Sequence, residues 1–103
     1  MSIPKTKTPL VYPAHLSRLT IDSLIRDALR REGVYERASK AGWPIGIRFA
    51  AYGDPLTTEV TVTCGCAPDQ IVLGTAFRNH NESFRPPLDA LITQVIGQLH
   101  LLL

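Results

Sequence analysis

Two thiols one residue apart, Cys64-Gly65-Cys66, are the pattern in this chain most suggestive of chemistry. A tetrahedral metal centre needs three or four ligands around one ion. Here there are two thiols, no second cysteine pair, and His80 as the nearest imidazole in sequence. The single intervening residue is also shorter than the usual spacing of zinc-binding cysteines. Nor is it the two-residue spacing that lowers a thiol pKa at the start of a helix. Residues i and i+2 of a strand point the same way but lie too far apart for an unstrained disulfide. Cys64 therefore reads as a small core residue, and two free thiols fit a reducing, cytoplasmic compartment. His15, His80 and His100 fall in three unrelated segments, and none has a nucleophile in a glycine-flanked elbow beside it. The glycines are scattered, so no phosphate-cradling loop is visible. The sequence offers no catalytic, cofactor or metal site.

Charge is distributed unevenly. Residues 1 to 42 hold eight basic and four acidic side chains, whereas residues 43 to 83 hold two basic and four acidic. Arg18, Arg26, Arg30, Arg31, Arg37 and Lys40 make a candidate phosphate-contacting set. Asp22, Asp27, Glu32 and Glu36 interleave with them, and Asp22–Arg26 and Asp27–Arg31 have the i, i+4 spacing of helical ion pairs. A solvated helix face is the stronger reading. A second candidate surface is the threonine-rich side of the strand containing Thr57, Glu59, Thr61 and Thr63, expected to meet solvent and to lack an aromatic stacking pair. A third is the run Leu101, Leu102 and Leu103, an apolar patch suited to a protein partner or a homodimer through the last helix.

Elements to carry these residues are readable from periodicity. Residues 1 to 14, with Pro4, Pro9 and Pro13, read as an extended arm, and residues 15 to 103 as one domain. Thr20 suits an N-cap, with Asp22 in the first turn, and Ile21, Leu24, Ile25, Ala28 and Leu29 form one apolar stripe. Gly33 ends that helix or bends it, Tyr35 to Ala41 is again helical, and Gly42 with Pro44 stops it. Ile45, Ile47 and Phe49 alternate with polar or small residues, as do Val60, Val62 and Cys64. Ala67-Pro68-Asp69-Gln70 suits a type I turn with proline second. A third strand follows, with Ile71, Leu73 and Phe77 expected on one face. Pro86 and Pro87 open a last helix whose apolar face is Leu88, Leu91, Ile92, Val95, Ile96 and Leu99, with Gly97 expected to allow close packing.

The result is an α+β fold, a two-layer sandwich of α-β-β-β-α order with a three-stranded antiparallel meander and helices on one face. A chain of 103 residues, 45% hydrophobic and 19% charged, is one globular domain, and its net charge of +2 implies no polyanion partner by itself. It holds no membrane-length apolar run, and its first ten residues do not read as a signal peptide. The order is similar to that of the double-stranded RNA-binding domain, over residues 20 to 103, with Gly53-Asp54-Pro55 where that family has a loop containing histidine. That family opens its last helix with clustered lysines, where this chain has Phe84-Arg85-Pro86-Pro87-Leu88-Asp89, and the loop histidine is also missing. The expected function is a non-enzymatic interaction protein binding one protein partner stoichiometrically. Phage- or plasmid-type inhibitors and accessory regulators, such as anti-CRISPR and anti-restriction proteins, are analogous in size and lack of motifs. The alternative is a nucleic-acid-binding module using the arm and first helix.

Overall fold

The computed structural model describes residues 17–53, 57–79 and 85–103. The expected arm at residues 1–14, His15 and His80 lie outside them. The described residues form helices α1 (Arg18–Arg31), α2 (Val34–Lys40) and α3 (Arg85–Leu102), and strands β1 (Ile45–Tyr52), β2 (Thr57–Cys64) and β3 (Ile71–Asn79). The strands make one antiparallel meander in the order β1-β2-β3. The α+β order is therefore the one expected, with the first helical segment divided in two.

Gly33 makes that division. Its φ of 77° lies in the left-handed region that ends a helix, and glycine enters it without steric cost. α2 closes with a full Schellman motif, in which Trp43 N–H donates to the Ala38 carbonyl at 2.8 Å and Gly42 N–H to that of Ser39 at 3.1 Å. The start of α1 corrects the sequence reading. Ser17, not Thr20, is the N-cap, accepting from the Thr20 amide at 3.1 Å. Both residues are good caps; the earlier one adds a turn, and its cost is an 81% exposed Leu19. Asp22 consequently lies beyond the first turn, which contains no acidic residue.

The core fills one side of the sheet. Ile21, Ile25 and Leu29 of α1, Val34 and Ala38 of α2, and Leu88, Leu91, Val95 and Leu99 of α3 pack with Ile45, Val60, Val62, Cys64, Leu73 and Ala76 of the strands. Burial of that apolar surface is the main stabilising contribution. Gly74 lets α3 approach: a Cβ there would stand 2.9 Å from Leu91 Cδ1. Gly97, expected to do this, has nothing within 4 Å of a Cβ and faces outward.

Two further corrections concern β3. The connection from β2 closes between Cys66 and Asp69, whose amide donates to the Cys66 carbonyl at 2.9 Å. Pro68 therefore stands third, after a cis peptide bond, not second in a type I turn. Within β3, Val62 pairs with Gly74 but Thr63 pairs with Val72, so Leu73 is the extra residue of a β-bulge. The bulge changes the alternation. Leu73 and Ala76 enter the core, while Phe77, expected on the face of Leu73, lies on the opposite one.

Candidate binding face

The sheet face away from the helices is the candidate site. Cross-strand pairing places Gly46, Arg48, Ala50 and Tyr52 of β1 beside Thr63, Thr61, Glu59 and Thr57 of β2. Val72, Thr75 and Phe77 of β3 complete it. The threonines are not its exposed part. Thr63 is fully buried, with its hydroxyl donating to the Gly46 carbonyl at 3.4 Å, in space that a side chain at position 46 would need. Thr61 is nearly buried and its hydroxyl lies 3.5 Å from that of Thr75. Short side chains on a central strand are covered from both sides, so Thr61 and Thr63 form a floor and the outer strands form the contact surface. Tyr52, Phe77 and Val72 are 47%, 53% and 56% exposed. Two aromatic residues thus stand on the face expected to lack an aromatic stacking pair, on the two outer strands, with β2 between them.

Glu59 sits half-buried between Ala50 and Phe77 in the strand register. Desolvation, then the charge of Glu59 and a hydrogen bond to it, push the Tyr52 phenol above its ordinary pKa. Arg48 is exposed on the neighbouring strand. A shallow depression of about 200 Å³ is lined by Arg48, Phe49, Ala50, Glu59 and Thr61. A second, of about 390 Å³, lies at the end of the sheet among Gly42, Trp43, Gly65, Cys66, Ala67 and Asp69. Cys66 is exposed there, while Cys64 is buried in the core and desolvation raises its thiol pKa. Among the described residues no three His, Cys, Asp or Glu side chains converge as metal ligands. No helix of the described residues is long and apolar enough to cross a membrane.

The structure sorts the basic candidates into two kinds. Arg26 is turned inward and ties three elements together. Its Nε donates to Asp22 Oδ1 at 2.6 Å, and its Nη1 to the Tyr35 hydroxyl at 3.0 Å and the Ile45 carbonyl at 3.1 Å. The Asp22 hydrogen bond raises its pKa against the opposing effect of burial. Arg30 stacks 4.5 Å above the Tyr35 ring and pairs with Asp27 at 2.8 Å, displacing the Asp27–Arg31 pair that sequence spacing suggested. Arg31, Arg37 and Lys40 are exposed and belong to neither the Asp22–Arg26 nor the Asp27–Arg30 ion pair. At the C-terminal end of α3, Leu101 is 81% exposed and Leu102 partly exposed, but Leu103 packs against the core. The apolar patch expected there is reduced to Leu101 and part of Leu102.

Sequence reasoning missed Arg48, Val72 and Phe77 as members of one surface. Gly74 inside a strand pattern was the available signal, since an interior glycine often accompanies a bulge. Comparison with protein families, with curated proteins and with solved structures found no match to this chain.

Proposed function

We propose that this chain is a small non-catalytic interaction domain that binds a protein stoichiometrically through the open face of its sheet, in a reducing compartment such as the cytoplasm. The observation carrying this reading is a sheet face that no described element covers, with Tyr52, Val72 and Phe77 half exposed on it beside Arg48 and Glu59. Single exposed apolar residues are ordinary on a surface, but three on one sheet face that no described element covers favour an interface. An inhibitor or accessory regulator of the phage or plasmid type acts by such contact.

Affinity capture from host lysate with nuclease present tests it. The wild-type chain is expected to retain a stoichiometric protein that Phe77→Glu and Val72→Glu lose, while Arg31→Glu with Arg37→Glu and Lys40→Glu keeps it. Retention by both sheet variants sinks the reading.

Exposed Arg31, Arg37 and Lys40 favour nucleic acid as a second reading. Three phosphate contacts on duplex DNA would give a log–log salt slope of about −2.7. Binding with no salt dependence, or none at low salt, excludes it.

A further inference from the structure

The open face carries one positive and one negative side chain as neighbours. Arg48 pairs across the strands with Thr61, and Ala50 with Glu59, so Arg48 and Glu59 are diagonal neighbours on adjacent strands. Such positions are about 7–8 Å apart, within reach of long side chains. Yet no ion pair joins Arg48 to Glu59, in contrast to Asp22–Arg26 and Asp27–Arg30. The 200 Å³ depression lies between the two charges.

This arrangement is self-complementary. A partner surface of one sign would attract one of the two groups and repel the other. A second copy, related by a two-fold axis lying in the contact plane through the depression, exchanges the two positions. Each guanidinium then lies over the other copy's carboxylate. Ala50 and Phe77 fall within such a contact, and Tyr52 and Val72, six positions apart in the strand register, stand at its rim. We propose that the open face is the interface of a homodimer, two sheets stacked face to face with reciprocal Arg48–Glu59 pairs. This rests on the reading of that face as a protein contact surface and names its occupant as a second copy of the chain. One three-stranded face is small for an interface, so the dimer is weak and its population depends on concentration.

Sedimentation equilibrium of the full chain, from micromolar to millimolar, tests the proposal. The wild-type mass is expected to rise from 11.4 kDa towards twice that value. Arg48→Glu and Glu59→Arg should each weaken association by about tenfold or more. Their equimolar mixture should associate, and the double variant should recover wild-type behaviour. Arg48→Gln and Glu59→Gln give the same direction with less risk to folding, which circular dichroism checks. A wild-type chain that stays monomeric to millimolar concentration overturns the proposal. So does a dimer that every single variant keeps, or a folded double variant that fails to recover. If the wild type is monomeric yet Phe77→Glu still loses a captured protein, self-pairing is wrong and the contact-surface reading stands. If the charge swap behaves as expected but capture ignores Phe77, the reading of a further partner on this face is wrong.

Discussion

Arg26 illustrates how a surface charge becomes a structural one. On a helix drawn from sequence it belongs with Arg30 and Arg31, yet it reaches across to Tyr35 and the carbonyl of Ile45. Arg26→Ala leaves that carbonyl, the Tyr35 hydroxyl and Asp22 without their donor. The expected loss of stability is about 1.5–3 kcal/mol, the range for hydrogen bonds to a charged group, with the partly exposed Asp22 pair contributing the smaller share. Arg31→Ala, on an exposed position, should stay within about 0.5 kcal/mol. Urea unfolding distinguishes them, and equal losses would refute the clamp. The cysteines divide in the same way. Cys66 is exposed, whereas Cys64 is buried with its pKa raised. A thiol whose folded pKa is raised favours the neutral form, so its contribution is complete at low pH and is lost as pH climbs past the unfolded thiol's pKa. At neutral pH an aromatic disulfide reagent should label one thiol per native chain quickly and the second at the rate of unfolding. Cys66→Ser should remove the fast phase; two fast thiols would contradict the packing of β2.

Elements show where local sequence decides and where it does not. Gly33 and Gly97 make a pair for comparison. A side chain at Gly33 meets no atoms but must adopt φ of 77°, so Gly33→Ala should cost about 1 kcal/mol. Gly97 has helical geometry and open space, so Gly97→Ala should stabilise by up to about 1 kcal/mol. At Gly74 the conflict is with the fully buried Leu91, and Gly74→Ala should cost about 1–3 kcal/mol through overpacking. Thermal melts of the three variants rank them, and a stabilising Gly74→Ala would mean that α3 does not pack as closely as described. The stripes of α1 and α3, the Gly42 stop and the alternation of β1 and β2 were legible because each is fixed by residues a few positions apart. The bulge at Leu73 was not, because it depends on which strand Val62 and Thr63 face. That one residue decided the candidate site: it turned Leu73 inward and Phe77 outward. The burial of Thr61 and Thr63 was equally hidden, since it follows from neighbours on two other strands.

At the scale of the whole molecule, the described residues make three strands with helices on one side, and among them one face and two edges are left open. Either kind of opening can be closed by a second copy, and the two closures protect different backbone amides. β2 is paired on both sides, so the amides of Val60 and Val62 should exchange with deuterium only on global unfolding. Among the described residues β1 is paired on one side, and alternate amides of its eight residues point away from the sheet. Face-to-face stacking leaves those outward amides in contact with water. Addition of a strand along β1 would bond them and build a continuous six-stranded sheet. Exchange measured at dilute and concentrated protein separates the cases. The reciprocal Arg48–Glu59 arrangement requires that the outward amides of β1 stay fast at both concentrations while Phe77 and Tyr52 ring resonances shift with concentration. Slowing of alternate β1 amides at high concentration would instead show the edge as the contact, and would make Arg48 and Glu59 bystanders on a face that meets only solvent.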